Sequence, residues 1–341
     1  MIGIQVTLVL TLVGLSNGML EDQARRARGV GADIMVRAPS SSVLAFSANM
    51  PSDILSAVEK QPHVIAATGV LTQGTGGFSY VTGIDLGQFR RLSGGFHYLQ
   101  GGPFRHPDDV MVDSYYAAEH MLHVGDTLEA LNRTWRVSGI YEAGTLTRIV
   151  VALDVLQDLT ANNGKITMIY AKLDDSSKTS EVITSLRSRL KDYQIYSMEE
   201  YTSLFSIANV PMLKQFIWVV IGLGVLVGFL VVFLSMYTAV LERTREIGVL
   251  KALGASPGYV LNILMRETTL LAIAGSILGI LLSYVTRFII SSLVPGTLIQ
   301  AIVPDWWPIA AGIALVGALL GAVYPGWKAA RQDAVEALAY E

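Results

Sequence analysis

The chain has 341 residues, no cysteine and a formal net charge of −3, with 52% hydrophobic but only 16% charged residues. A soluble domain carries about a quarter charged residues, so this one is short of charge. The missing cysteine excludes disulfides, thiolate metal sites and a cysteine nucleophile, and the slight acidity argues against a nucleic-acid partner. The charge is unevenly spread: 39 of the 53 charged side chains fall between Leu20 and Lys214, which leaves the remainder with the composition of lipid-facing segments.

Met1–Leu20 is uncharged and long enough to cross a hydrocarbon core, which takes about 20 apolar residues in a helix. It lacks a basic n-region and a small-x-small cleavage site, so it reads as a retained helix and not a signal peptide. No basic residue precedes this span, and the start of the protein can lie upstream of Met1.

Residues 21–214 read as an α+β domain. Asp33–Arg37, Val64–Leu71, Phe78–Ile84, Val110–Val112, Trp135–Tyr141 and Lys165–Lys172 are short β-branched and aromatic runs bounded by turns. Helices are expected at Ser52–Lys60, at Ser114–Leu122 with Asp113 as its cap, and at Ser177–Lys191. Glu21–Arg28 and Met198–Lys214 are expected to continue the first two spans as a stalk.

Three further spans follow at 216–241, 268–293 and 306–327. Trp306 and Trp307, beside Asp305 and Pro308, suit an interfacial anchor with proline in the first turn, and Arg287 can snorkel to the outer surface. Arg243, Arg245, Lys251 and Arg266 lie in the loop 242–267, and Lys328 and Arg331 in the tail 328–341, whereas the loop Ser291–Asp305 carries no Lys or Arg. Basic residues resist translocation, so both termini and the loop 242–267 are expected in the cytoplasm and residues 21–214 outside. Arg25, Arg26 and Arg28 run against this trend, but large domains translocate largely regardless of charge.

Catalytic signals are weak. Gly14-Leu15-Ser16-Asn17-Gly18 matches a nucleophile elbow, which needs a strand-to-helix turn, yet it falls inside a span. His120 and His123 with Glu119 lack a second ligand cluster and read as solvated polar residues, and Asn132-Arg133-Thr134 is a glycosylation sequon by pattern only. Gly164-Lys165 lacks the upstream glycine of a phosphate-binding loop. No catalytic, metal or cofactor-binding residue is expected, and any ATP hydrolysis belongs to a partner chain. Each span does hold a Gly-x-x-x-Gly pair: Gly14/Gly18, Gly224/Gly228, Gly275/Gly279 and Gly317/Gly321. Such pairs let helix backbones approach closely in lipid and point to a tightly packed bundle, within or between subunits.

The most informative segment runs from Glu242 to Ser256. Its charges cluster in the first half, and Ile247, Leu250 and Leu253 follow at helical spacing. A short amphipathic helix of this kind can dock into a groove on a soluble partner or lie on lipid headgroups. The segment resembles the coupling loop of MacB/FtsX-like ABC transporter permeases, with Arg243, Glu246, Ile247, Gly248, Lys251, Ala252, Leu253, Gly254 and Ala255 at the positions of the family pattern and Leu250 between them. Tyr324–Arg331 and Val335–Leu338 are similar to the family's terminal motif, apart from Ala334 in place of proline. Glu267, Val124–Thr127 and Val137–Ile140 extend the likeness over nearly the whole chain.

The resemblance implies a four-span permease with a MacB-like outer domain and an FtsX-like permease domain from residue 215 onward. It further implies a multi-pass location in the cell inner (plasma) membrane, a cytoplasmic ABC ATPase subunit contacted through the loop, a second permease as homodimer or heterodimer, and membrane lipid around the spans. A periplasmic adaptor protein is left open. The expected activity is export or extraction of a substrate at the outer face, driven mechanically by the ATPase. The alternative is an FtsX-like signalling permease that activates an extracytoplasmic cell-wall hydrolase.

Overall fold

The computed structural model describes residues 1–39, 41, 48–76, 79–293 and 298–332. The expected motif around Ala334 to Leu338 and the first residue of the Phe78–Ile84 strand lie outside them. Two compact units divide the rest: residues 19–210 with 298–299 form one, and residues 1–18, 211–293 and 300–332 the other.

The chain opens with α1 (Ile2–Arg28). The outer unit then runs β1 (Ile34–Arg37), β2 (Met50–Pro51), α2 (Ile54–Glu59), β3 (Val64–Gly76), β4 (Ser79–Ile84), α3 (Leu86–Ser93), β5 (Tyr98–Gly101), β6 (Asp109–Asp113) and α4 (Ser114–His120). It continues through β7 (Thr127–Ala130), β8 (Arg133–Tyr141), β9 (Ile149–Ala152), α5 (Leu153–Leu159), β10 (Lys165–Ile166), β11 (Met168–Leu173), α6 (Thr179–Arg189), β12 (Gln194–Ser197) and α7 (Met198–Ser203). One large mixed sheet has the order β12-β1-β11-β3-β4-β9-β6-β8-β5, with β7 also on β8. The β4–β9 and β6–β8 pairs are parallel.

Alternation along each strand separates two faces. On β1, Ile34 and Val36 join Val182 and Leu186 of α6 in one core, while a second core forms around Val110, Val112, Trp135, Val137 and Leu156. Local chemistry sets the ends of the elements. Asp85 and Asp113 cap α3 and α4 by accepting from Gln88 N at 2.8 Å and Tyr116 N at 2.7 Å, the N-cap bond that satisfies an orphan donor. Leu131 and Asn132, with φ of 53° and 59°, make the two-residue turn between β7 and β8, where a primed turn matches strand twist.

The expected strand Lys165–Lys172 is split at Thr167. Its hydroxyl donates to Val70 O and accepts from Thr72 N, both at 3.0 Å, so a side chain takes over where the ladder breaks, and β10 turns away to pair with β2. The second half of the expected stalk is also corrected. Glu21–Arg28 does continue α1, but Met198–Lys214 is no single helix. α7 ends at Ser203, Val210 is extended at φ −114°, and α8 (Pro211–Glu242) starts on the proline. Proline is favoured at a first helical position and the residue before it is disfavoured in the helical region.

The membrane unit comprises the first residues of α1 together with α8, α9 (Thr244–Ala252), α10 (Pro257–Leu293) and α11 (Trp306–Arg331), and four helices are long and apolar enough to cross a bilayer. α10 begins eleven residues before the expected span, because charge limits where a helix can lie in lipid but does not stop it from being a helix.

Small residues set the packing. Thr7 Oγ1 donates to Gly279 O of α10 at 2.9 Å, and the Thr11 and Thr286 hydroxyls are 3.1 Å apart. A Cβ on Gly279 would stand 2.5 Å from Gly3 O, one on Gly275 3.0 Å from Ile2 Cβ, and one on Gly321 2.7 Å from Phe229 O. Gly317 meets Val225, and Gly224 and Gly228 meet the side chain of Gln5. Gly14 accepts from Ala301 N at 2.9 Å, Gly18 is buried a turn later, and Ser16 donates back to Leu12 O within α1. There is thus no strand-to-helix turn at the nucleophile-elbow match. These close approaches are all made within one chain.

Candidate functional site

The helix α9 follows α8 after Arg243 and ends in a Schellman motif: Gly254 N donates to Lys251 O at 2.9 Å and Ala255 N to Leu250 O at 3.0 Å, with Gly254 at φ +96°. A left-handed residue closes a helix this way, and glycine takes it without a Cβ penalty. Ser256 then opens α10, accepting from Tyr259 N and Val260 N, with Pro257 as its first residue. Four residues therefore separate two helices.

The loop motif divides between an inner and an outer set. Ile247 is 7% exposed and packs with Val240, Val260, Leu264, Ala329 and Ala330. Gly248 is buried too. Lys251 Nζ donates to Ala330 O at 3.0 Å and to Gln332 O, which satisfies carbonyls at the end of α11 where a cation is favoured. Arg243 reaches both carboxylate oxygens of Glu267 on α10 at 3.2 Å. Both of these last side chains are exposed, so the pair contributes about 1 kcal/mol or less. The expected apolar face Ile247–Leu250–Leu253 is thereby broken. Ile247 belongs to the chain's own core, whereas Leu250 and Leu253 are 39% and 81% exposed.

Outward-facing residues are Arg245, Glu246, Val249, Leu250, Ala252 and Leu253, with Ala255 half-buried. Beside them a cleft of about 110 Å³ is lined by Met236, Arg243, Glu246, Leu250, Ile263 and Glu267, among others. Glu246 has no ion pair among the described residues. The arrangement offers a carboxylate and two large apolar side chains on an edge whose backbone is pinned at both ends.

The three arginines after the first span sit in the outer unit. Arg26 is 4% exposed; its Nε donates to Asp22 at 2.7 Å and its Nη2 lies 2.9 Å from Asp113 Oδ2. Arg25 also pairs with Asp22, and Arg28 with Glu21 at 3.3 Å. Arg148 lies 3.6 Å from Glu119 and 3.9 Å from Asp22. The neighbouring Tyr141 is fully buried and donates to Thr147 O at 2.5 Å; burial first, then the Asp113 carboxylate, push its hydroxyl well above the ordinary range, against Arg26 and Arg148. Sequence reading had no signal for this cluster, since Asp113 and Arg148 lie far along the chain. A cavity of about 470 Å³ beside it is lined by Arg25, Arg28, Phe96, His97 and Glu142, among others. Its charged groups are exposed and already paired, so no desolvated polar group is held there to fix a ligand. His120 stacks on Tyr116 and His123 pairs with Asp126, and among the described residues no three ligating side chains converge.

The families described as MacB-like periplasmic core domain and FtsX-like permease C-terminal match residues 1–189 and 218–334, the first of them more than half of the chain. The macrolide export ATP-binding/permease protein MacB of Escherichia coli is 27% identical over 382 residues, covering 100% of this chain and 58% of that protein. The uncharacterized ABC transporter permease YknZ of Bacillus subtilis (strain 168) is 26% identical over 227 residues, covering 64% and 55%. This chain thus spans somewhat over half the length of these relatives. The periplasmic region of MacB from Actinobacillus actinomycetemcomitans superposes with a TM-score of 0.39 at 18% identity, over 50% of this chain and 92% of that one. With four membrane-crossing helices and an α+β extracytoplasmic domain inserted between the first and second, the chain belongs to the MacB/FtsX-like family of ABC transporter permeases.

Proposed function

We propose that the chain is the permease subunit of an ABC transporter in which a separate ATPase, docked on the outward edge of α9, drives export or extraction of a substrate at the outer face of the membrane. The observation that carries this is the split of the loop motif. Arg243, Ile247, Gly248, Lys251 and Gly254 fasten α9 to its neighbours, while Glu246, Leu250 and Leu253 stay exposed on a single edge. A helix pinned in this way passes on a push instead of rolling with it.

Both termini and α9 are then cytoplasmic, a second permease completes the transporter, and the spans act as levers. The near absence of charge from the spans supports levers over a solute path, because such paths carry intramembrane ionisable groups.

The test is Leu253→Glu and Glu246→Lys in the full chain, expressed with a cytoplasmic ABC ATPase subunit that co-purifies with the native chain. Co-purification and stimulated hydrolysis should fall about ten-fold, the loss of one contact of about 1.4 kcal/mol, at an unchanged melting temperature. Wild-type values for both variants would leave α9 as a helix lying on lipid headgroups.

A further inference from the structure

We propose that the end of the membrane unit opposite α9 holds a headgroup site for a phospholipid that carries both a phosphate and a free hydroxyl, as phosphatidylglycerol does. Depth in the membrane comes first. No charged residue lies between Glu267 and Arg287 on α10. Their separation of about 20 residues spans about 30 Å of helix, the thickness of a hydrocarbon core. Glu267, paired with Arg243, marks one boundary, and Arg287 stands at headgroup level on the other.

A small cleft opens beside Arg287, lined by Leu10 of α1, Tyr284 of α10, Gln300 and Trp307, among others. The Tyr284 and Trp307 rings meet edge to face with centroids 6.3 Å apart, and such amphipathic rings suit the membrane interface. The segment that carries Gln300 is pinned to α1. Ala301 N donates to Gly14 O at 2.9 Å, and a Cβ on Gly14 would stand 2.7 Å from Ala301 O.

Two polar groups of the cleft ask for an outside partner. Gln300 is 7% exposed, and its Oε1 is buried with no hydrogen bond among the described residues. A buried acceptor left in that state is costly, so the cleft is built for a donor. Arg287 is exposed and has no ion pair among the described residues; a phosphate matches its planar fork of donors.

The size and charge of the cleft choose the donor. Its enclosed room is about 10 Å³, which suits a single hydroxyl or water and excludes an acyl chain. No carboxylate lines it, so an ammonium headgroup would enter without a counter-charge, whereas a hydroxyl needs none. The hydroxyl then donates to Gln300 Oε1, the phosphate rests on Arg287, and the chains run along the exposed side of α10 past Leu281 and Ile277.

Native mass spectrometry of the full chain in detergent tests this. Phosphatidylglycerol, phosphatidic acid and phosphatidylethanolamine with the same acyl chains are offered in equal amounts, and the surviving adducts are counted. Phosphatidylglycerol should be retained about five-fold better than phosphatidylethanolamine, the margin of one hydrogen bond. Arg287→Gln should lower phosphatidylglycerol and phosphatidic acid alike. Gln300→Leu removes the acceptor, so it should lower phosphatidylglycerol about five-fold and spare phosphatidic acid, which has no free hydroxyl beyond its phosphate. Equal loss of both lipids in Gln300→Leu would overturn the proposal. Unchanged adducts in both variants would also overturn it and leave a water on Gln300, and equal retention of phosphatidylethanolamine would overturn the choice of a hydroxyl. If Gln300→Leu does not fold, the exposed Arg287→Gln still decides, because undiminished phosphatidylglycerol there removes the site. The measurement needs no ATPase, and only the naming of the outer leaflet as the lipid's source rests on the proposed orientation.

Discussion

Lys251 Nζ lies 3.0 Å from the carbonyl oxygen of Ala330, so the short loop helix holds the last turn of the final membrane helix. This lysine belongs to the family's loop pattern, yet its bond turns inward to the chain's own backbone. Lys251→Met should therefore act on stability before it acts on any partner. Losing a charge-assisted bond and leaving carbonyls unmet costs about 1–3 kcal/mol. Thermal unfolding in detergent checks this, and an unchanged midpoint would mean that water replaces the ammonium without loss.

Gly279 and Gly312 both sit inside long helices, but only one is crowded. A methyl on Gly279 meets Gly3 O at 2.5 Å and Val6 Cβ at 2.7 Å, whereas Gly312 has nothing within 4 Å. Gly279→Ala should destabilise by about 1–3 kcal/mol through overpacking. Gly312→Ala should be neutral or stabilise by up to about 1 kcal/mol through helix propensity. Equal midpoints for the two would mean that α1 and α10 separate freely in detergent.

Asp109 gives the outer domain an acid sensitivity. Burial would raise its carboxyl, but bonds from Arg105 N, Arg136 and His106 N outweigh burial and hold it below the ordinary value of 3.8. The unfolded carboxyl takes up its proton first as pH falls, so this stability is complete above that value and is lost below it. In Asp109→Asn the tryptophan fluorescence midpoint should change less between pH 6 and pH 3 than in the native chain. Identical acid slopes would assign the loss to other carboxylates.

Topology is accessible to cysteine labelling. Thr134 on β8 and Leu253 beyond α9 are exposed, whereas Ser138 is half-buried and donates to Val110 O, a poor position for a label. In intact cells with a permeable outer envelope, an impermeant maleimide should mark Thr134→Cys and spare Leu253→Cys. The reverse pattern would invert the orientation.

Much of the fold was readable from local chemistry. Runs of β-branched residues marked β1, β3, β6 and β8, and Asp113 was readable as a cap. β5, β7 and β12 have at most one β-branched residue each, so no run stood out there, and β9 was missed although Ile149–Val151 is as strong a run as β1. The spans were legible, but their helical ends were not. Hydropathy stops at Arg266 and Glu267, whereas hydrogen bonding continues and Glu267 finds Arg243. The three arginines after the first span showed as an anomaly; Arg25 and Arg28 pair locally with Asp22 and Glu21, but the buried partner of Arg26, Asp113, lies 87 residues further on. Spacing also placed Ile247 on a docking face, because one amphipathic stripe can serve a partner or a core and the sequence does not say which.

The place of β1 in the sheet bears on how the protein can be made. β1 is held on one side by β11 and on the other by β12, so the first strand to leave the ribosome waits for nearly the last of the domain. Until residues 168–197 follow, both of its edges are bare, and bare edges recruit other chains. Loop closure across so long a separation is also slow. The core around β1 therefore cannot close until the end of the domain has emerged, although the buried residues of the second core, Leu71 to Leu156, all precede it. A chain stalled near residue 160 would be a substrate for chaperones and proteases, however well its first helix had already settled in the membrane.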